Sequence, residues 1–213
     1  MDPGWLSNAY LVADEEGGTA VFVDSGAPMQ PLLDAAERWR VRPEHVLRTH
    51  ADPDHVAYEA ELGVTVVTGS LDTGSLHVEA LQTPGHSEDH LAFVVNGELC
   101  FSGDILFKDT VGGGRDVPAI RRSVMDVLMQ LPPELRVLPG HTDETTIGRE
   151  WEENPFVRYW RELDPSLEEP ITFGGDEATL VVWSPDYDGK GKALIRLADG
   201  REAIVGGSRI TRK

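Results

Sequence analysis

Side chains that bind metal ions are concentrated in one short segment of this sequence. The six residues His50-Ala51-Asp52-Pro53-Asp54-His55 include two histidines and two aspartates. Imidazole nitrogens and carboxylate oxygens are natural ligands of Zn²⁺, Fe²⁺ and Mn²⁺. Residues two apart in an extended loop point the same way, so His50 and Asp52 can share one ion, while Asp54 and His55 turn toward a second. Folding alone rarely needs four such residues together, and the segment therefore indicates a metal site.

Three more ligand-type residues follow, each after a predicted strand and next to a glycine. They are His86 in Thr83-Pro84-Gly85-His86, Asp104 in Ser102-Gly103-Asp104 and His141 in Pro139-Gly140-His141. Each one alone has an ordinary explanation, because Gly-His turns usually carry a surface histidine and an Asp after Gly commonly caps a turn. Together with the first segment they predict one metal centre, in which the two oxygens of Asp104 can bridge two ions. Ligands at strand ends leave coordination positions open for water and substrate.

Short strands and a few helices must position these loops. Alternation of apolar and polar residues predicts strands over Trp5–Ala13, Thr19–Asp24, Val46–Thr49, Val64–Thr68, Leu76–Thr83, His90–Val95, Glu98–Ser102 and Arg136–Pro139. Helices are predicted over about 29–40, 121–131, 146–153 and 156–163, with a short one near Tyr58. The first of these places Leu32, Leu33, Ala36 and Trp39 on one apolar face. Asn96-Gly97 predicts a tight hairpin between two of the strands.

The composition changes after Leu163. Residues 164–170 have the character of a linker, and strands are predicted beyond it over Ala178–Trp183, Lys192–Leu197 and Glu202–Val205. This stretch is too short for a robust core of its own. We therefore expect a main domain over residues 1–163, with a linker and a small β-rich C-terminal appendage over residues 164–213 docked on it.

Composition and charge exclude several classes of protein. The 213 residues carry 19 Lys and Arg against 37 Asp and Glu, a formal charge of −18. That charge repels phosphate backbones and anionic membrane surfaces, so we expect no nucleic-acid partner and no membrane partner. Cys100 is the single cysteine, which excludes an intramolecular disulfide. The N-terminal residues show no signal-peptide pattern, and a cytoplasmic location is expected.

The ligand segment has the pattern of a known family. Thr49–His55 resembles the T-H-x-H-x-D-H signature of the metallo-β-lactamase superfamily. That superfamily's other motifs are matched in the same order by Val23–Gly26, Gly85-His86, Gly103-Asp104 and Gly140-His141. Thr83–His90 and Phe101–Phe107 are most similar to the glyoxalase II branch. The resemblance covers about residues 5–163 and implies an α/β fold, a four-layer αββα sandwich with metals at one edge of its two sheets.

The resemblance also implies two divalent metal ions, with zinc the first choice and iron or manganese as alternatives. The implied ligands are His50 and His86 for the first ion, Asp54, His55 and His141 for the second, and Asp104 as a bridge. Asp52 stands where the family has its second histidine. Aspartate is shorter and harder than imidazole, so it either still ligates, favouring iron or manganese, or leaves the first site weak and the protein mononuclear.

The function implied first is a metal-dependent hydrolase of an ester, thioester or lactone-like bond in a small molecule. A metal-bound hydroxide would be the nucleophile, with Asp54 as the catalytic residue that orients it. Glyoxalase II proper binds glutathione with a C-terminal helical region, whereas a β-rich appendage is predicted here, so the substrate stays open. A homo-oligomer is compatible with the sequence.

Two alternatives remain. Persulfide dioxygenases also resemble this sequence, and their single iron would be held by His50, His86 and Asp104. Two histidines and one carboxylate are the ligand set of non-haem Fe(II) oxygenases. Otherwise, Asp52 marks a catalytically impaired protein of the same fold, whose appendage binds a partner or a second copy.

Other residues give weaker signals. His90 is expected to hydrogen-bond behind the metal ligands or simply to be a satisfied strand histidine. Cys100 is expected to be a small buried hydrophobic residue, and His77 is expected to be a surface or packing residue. The glycines of Gly112-Gly113-Gly114-Arg115 either line the substrate mouth, where Lys108 and Arg115 would meet an anion, or form a flexible loop.

Overall fold

Two stacked β-sheets carry the ligand loops at one shared edge. A computed structural model describes residues 4–213. Residues 1–3 lie outside the described residues, and with them the start of the expected main domain and of the N-terminal segment without a signal-peptide pattern. Between residues 4 and 213, no helix has the length and apolar character that crossing a membrane requires.

The first sheet, which we call the N-terminal sheet, has four strands in the order β1-β2-β3-β4. Their bounds are β1 Tyr10–Ala13, β2 Thr19–Val23, β3 Arg42–Leu47 and β4 Thr65–Val67. Helix α1 (Gln30–Trp39) covers its outer face through buried Ala36. Leu33 and Trp39, expected on the buried face of this helix, are exposed, because only a narrow stripe of the helix reaches the sheet.

The second sheet, the central sheet, has six strands in the order β12-β11-β8-β7-β6-β5. Its strands are β5 Leu71–Thr73, β6 Leu76–Gln82, β7 Leu91–Val95, β8 Leu99–Gly103, β11 Arg136–Pro139 and β12 Thr145–Thr146. The two strands between β8 and β11, β9 Leu106–Phe107 and β10 Thr110–Val111, form a separate two-stranded hairpin. Asn96 and Gly97 both have positive φ and form the predicted turn between β7 and β8. The sequence pattern missed β5, β9, β10 and β12, which at two or three residues are too short to show alternation.

Alternating side chains on each strand build the layers of the fold. Val21 and Val23 of β2 pack against Phe93 and Phe101 of the central sheet. Phe22, between them in sequence, points to the outer face that α1 and its flanking loops cover.

The other face of the central sheet is covered by helices and a short hairpin. Helix α2 (Pro53–Val56) lies in the ligand loop after β3. The helices on this face are α3 Val117–Arg122, α4 Ile147–Glu153 and α5 Pro155–Trp160. Ala92 and Val94 of β7 pack against Ile120 of α3 and Phe156 of α5. The helix predicted over 121–131 is broken into α3, a π turn over Ser123–Val127 and a 3-10 turn over Leu128–Gln130. These layers make the predicted αββα sandwich.

Residues after the expected linker form a third sheet, the C-terminal sheet. Its strands are β13 Glu169–Phe173, β14 Asp176–Ser184, β15 Lys192–Leu197, β16 Glu202–Gly206 and β17 Ile210–Arg212, in the order β16-β15-β14-β13-β17. One face has its own apolar cluster around Leu180 and Ile195. On the opposite face, Leu194 and Ile204 join the apolar core beneath the helices of the sandwich. The C-terminal sheet therefore packs on the sandwich through a shared core.

Candidate metal centre

Four loops place the ligand-type residues at one edge of the two main sheets. The loop holding His50 follows β3, and His86, Asp104 and His141 follow β6, β8 and β11. Gly140 shows how tightly these loops meet. A Cβ at this position would lie 2.2 Å from Asp104 Oδ1, a distance that real contacts never reach. The glycine beside His141 is therefore needed for the β8 and β11 loops to approach each other.

Six of the seven predicted ligands form two groups, each with two histidines and one carboxylate. The first group is His50, His86 and Asp104, and the second group is Asp54, His55 and His141. Within each group, one nitrogen or oxygen from each residue lies within 4.8 Å of the others. Asp104 connects the groups, since its Oδ1 is 3.3 Å from His55 Nε2 and its Oδ2 is 3.3 Å from His141 Nε2.

Asp52 lies beside the first group. Its Oδ2 is 3.3 Å from His86 Nε2 and 3.7 Å from His50 Nε2, and its side chain is 52% exposed. The structure therefore brings all seven predicted residues together. Asp52 sits at the solvent side of the first group, a consequence of its position as the residue that precedes α2.

Each histidine in the two groups is oriented by a hydrogen bond from its Nδ1. His86 donates to the carbonyl of Gly113 at 3.0 Å, and His141 donates to the carbonyl of Leu6 at 2.9 Å. With Nδ1 carrying the proton, Nε2 keeps its lone pair and faces the centre. This arrangement is the usual outer support of a metal-binding histidine.

The remaining two histidines share a support in Asp24. His55 donates from Nδ1 to Asp24 Oδ2 at 2.7 Å. The Thr49 hydroxyl also donates to Asp24 Oδ2, and its oxygen is therefore free to accept from His50 Nδ1 at 3.0 Å. Asp24 lies in the segment Val23–Gly26 that resembles a family motif, but its role in orienting two rings is apparent only from the tertiary structure.

Buried polar atoms show that the two groups fit a bound cation. Within the described residues, His50 Nε2, His55 Nε2 and Asp104 Oδ1 are buried and make no hydrogen bond. Leaving such atoms unsatisfied costs about 1–3 kcal/mol each. All three belong to residues of the two groups, and metal ions bound there would satisfy them. Nitrogen and carboxylate donors of this kind suit zinc, iron and manganese.

The carboxylates also draw positive charge into this centre. Burial opposes protonation of His55, but contacts with Asp104 and Asp24 outweigh it and raise the pKa of His55 to about 11. In the same way, burial is outweighed by Asp104 and Asp54 in raising the pKa of His141 to about 9. The pKa of Asp104 lies well below its usual range despite its burial, because His141 and His55 face it. Divalent cations would supply the charge that these carboxylates stabilise.

His90 supports the centre without facing it. Its Nε2 accepts the backbone N–H of Asp104 at 2.9 Å, and its Nδ1 donates to Thr83 Oγ1 at 2.8 Å. Burial lowers the pKa of His90 far below its ordinary value, which keeps the ring neutral and able to accept. The expected hydrogen bond behind the ligands is therefore present. His77, by contrast, is exposed and pairs with Asp72, and Cys100 is buried.

The C-terminal sheet reaches the centre, which the sequence pattern did not indicate. The Tyr187 ring stacks on His141 with ring centres 4.1 Å apart and planes 6° apart. Gly114 pairs with Ile204 of β16 through backbone hydrogen bonds in both directions. The neighbouring carbonyl of Gly113 is the one that orients His86. The sheet thus braces one ligand of each group, and no local signal in residues 164–213 marks these contacts.

Comparison with known proteins places this chain in a family. No protein-family model matches the chain. An uncharacterised protein of Mycobacterium leprae is 31% identical over 205 aligned residues, covering 70% of this chain and 93% of that protein. A probable metallo-hydrolase of Bacillus subtilis, YqgX, is 36% identical over 96 residues, covering 42% of this chain and 44% of that protein.

Similar solved structures identify the family. The B3 metallo-β-lactamase BLEG-1 is 25% identical with a TM-score of 0.65, covering 71% of this chain and 94% of that one. The chain belongs to the metallo-β-lactamase superfamily. ETHE1 from Myxococcus xanthus is 27% identical with a TM-score of 0.65, covering 71% of this chain and 80% of that one.

A third similar structure was solved with metal bound. TTHA1623 in a di-iron-bound form is 32% identical with a TM-score of 0.57, covering 73% of this chain and 98% of that one. Superfamily membership and the paired ligand groups support a metallo-enzyme. More than a quarter of this chain lies outside the matches to the Mycobacterium leprae protein, BLEG-1 and TTHA1623, although each of those proteins is covered over nine-tenths of its length or more.

Proposed function

We propose that this protein is a binuclear metal-dependent hydrolase of an ester, thioester or lactone-like bond in a small molecule. The observation that carries the proposal is the pair of two-histidine, one-carboxylate groups that share Asp104. Two adjacent cations can hold a carbonyl and a nucleophile side by side, which is what acyl hydrolysis requires. The formal charge of −18 supports a small-molecule substrate rather than a nucleic acid.

Each residue then has a defined task. The first group, with Asp52 beside it, would hold one ion, the second group would hold the other, and Asp104 would lie between them. Bound divalent ions of this kind lower the pKa of water and polarise a carbonyl oxygen. Asp54 is the catalytic residue, because its partly exposed carboxylate lies 3.4 Å from His141 Nε2 and can orient the water that attacks. Zinc is the proposed occupant, and iron or manganese are alternatives that Asp52 favours.

Removal and return of metal test this proposal. We expect esterase or thioesterase activity to disappear after exhaustive chelation and to return when Zn²⁺, Mn²⁺ or Fe²⁺ is added. Elemental analysis follows the metal content at each stage, and His77→Ala is the control, because this exposed histidine lies outside both groups. Activity that persists in protein shown to be metal-free would contradict the proposal.

A second candidate function is a mononuclear iron dioxygenase acting on a persulfide. The first group by itself has the two histidines and one carboxylate that such enzymes use, and it is intact whatever Asp52 does. His141→Ala separates the two functions, because it removes a residue of the second group only. Loss of hydrolysis in this variant supports the hydrolase. Oxygen consumption with a persulfide that survives in iron-loaded His141→Ala supports the dioxygenase.

A further inference from the structure

A pocket opens between the metal centre and the C-terminal sheet. It has a volume of about 800 Å³, and its lining includes His86 and Asp104 of the first group. The opposite wall is formed by residues of β15, β16 and the turns around them. A pocket of this size accommodates a small organic molecule. A substrate bound in this pocket would therefore contact both the first group and the C-terminal sheet.

The charge of this pocket is opposite to that of the whole chain. Acidic residues outnumber basic ones 37 to 19 in the sequence. The pocket lining reverses this ratio, with four basic side chains, Arg115, Lys192, Arg201 and Arg209, against two acidic ones, Asp104 and Glu202. Asp104 already belongs to the metal centre. A concave surface with this excess of positive charge attracts an anion.

Two of these four basic side chains are free to bind an anion. Lys192 is paired with Asp186 at 3.0 Å, and Arg201 is paired with Asp199 at 2.7 Å. Arg115 and Arg209 have no carboxylate within 4.0 Å anywhere in residues 4–213. The guanidinium carbon of Arg209 lies 5.1 Å from the centre of the Phe173 ring, a contact that holds the group over the pocket wall.

We propose that Arg115 and Arg209 bind an oxyanion of the substrate, a carboxylate or a phosphate, while the reacting bond lies at the metal centre. A guanidinium offers paired N–H donors whose geometry matches these anions. Phe107 and Phe173 give the pocket apolar surface for the part of the substrate between its two ends. This inference rests on the proposed function, because it identifies the substrate class of the same site. Recognition of that class would then depend on the C-terminal sheet and on the loop Gly112–Arg115.

Calorimetry with three matched probes tests the proposal without relying on catalysis. The probes are 4-phenylbutyrate, 3-phenylpropyl phosphate and the neutral 4-phenylbutanamide, titrated into the purified, metal-loaded protein. We expect the better of the two anions to bind roughly tenfold more tightly than the amide, as a charged hydrogen bond predicts. The order of the two anions then identifies the carboxylate or the phosphate as the preferred group.

Substitution of the two arginines tests whether they cause the preference for anionic probes. The double variant Arg115→Gln, Arg209→Gln is expected to lower anion affinity roughly tenfold, to that of the amide. Arg38→Gln is the matched control, because this exposed arginine lies on α1, outside the pocket. Arg115 and Arg209 are exposed, so unchanged thermal unfolding is expected for both proteins. An anion preference that survives in the double variant would overturn the proposal and assign the binding to the metal alone.

These measurements distinguish failure of the anion site from failure of the proposed hydrolase. Absent hydrolysis together with arginine-dependent anion binding would reject the hydrolase and keep the anion site. Metal-dependent hydrolysis together with equal binding of all three probes would keep the hydrolase and reject the anion site.

Discussion

The two ligand groups of the metal centre have the same composition but different surroundings. In the second group, the rings of His55 and His141 are almost fully buried, and the charged carboxylate of Asp24 accepts the Nδ1 hydrogen of His55. In the first group, His86 is 21% exposed, and the Nδ1 atoms of His50 and His86 meet only neutral oxygens. A carboxylate behind an imidazole raises its basicity more than a neutral acceptor does.

Two sites with identical ligand types can therefore differ in their affinity for metal. Both histidines of the second group are buried, and Tyr187 from the C-terminal sheet stacks on His141. The first group is open to the pocket and has Asp52 on its solvent side. We therefore expect the second group to bind its ion more tightly, and the first group to determine which metal and which substrate the protein accepts.

Removal of the shared ligand should have the largest effect. We expect Asp104→Ala to lose metal from both groups, because its two oxygens face both, whereas His141→Ala should empty mainly the second. Since loss of an outer-shell partner alone typically costs 10–100-fold, hydrolysis by Asp104→Ala should fall by more than about 100-fold. Metal stoichiometry of the two variants measures this. Equal metal loss in both would count against a bridging role for Asp104.

Neutralising Asp24 should narrow the difference between the groups. Asp24→Asn keeps the size of the side chain and can still accept the backbone N–H of Thr49. It removes the negative charge behind His55, so affinity at the second group should fall by about 10–100-fold. Competition with a zinc-binding dye gives both affinities. A drop confined to the first group would show that the support of His55 does not set the stronger site.

Changing Asp52 should have a smaller effect, limited to the first group. Asp52→His restores the family's usual residue at a half-exposed position, so the fold should be unaffected. Imidazole is neutral and softer, and it should raise zinc affinity relative to manganese or iron, on the order of tenfold. Zinc titration of metal-free protein tests this beside the wild type and Asp34→His, a control on α1. Unchanged zinc binding would remove Asp52 from the set of proposed ligands.

The sandwich and its ligands could be predicted because their signals are local. Each of the four ligand loops carries its own motif, and most strands of the two main sheets are long enough to show alternation. Long-range geometry could not be predicted in the same way. Nothing near Leu33 or Trp39 reveals that α1 buries only a narrow stripe, and nothing near Asp24 reveals that it receives hydrogen bonds from Thr49 and His55.

The sequence alone indicates which side chains can bind metal, their order along the chain and their places at strand ends. It also indicated three strands after residue 164. Tertiary contacts place the C-terminal sheet over the metal centre, with Tyr187 on His141 and Ile204 paired to Gly114. These contacts join residues many positions apart through a shared apolar core and backbone hydrogen bonds. An apolar strand face or a backbone N–H group does not reveal in the sequence which distant partner it will contact.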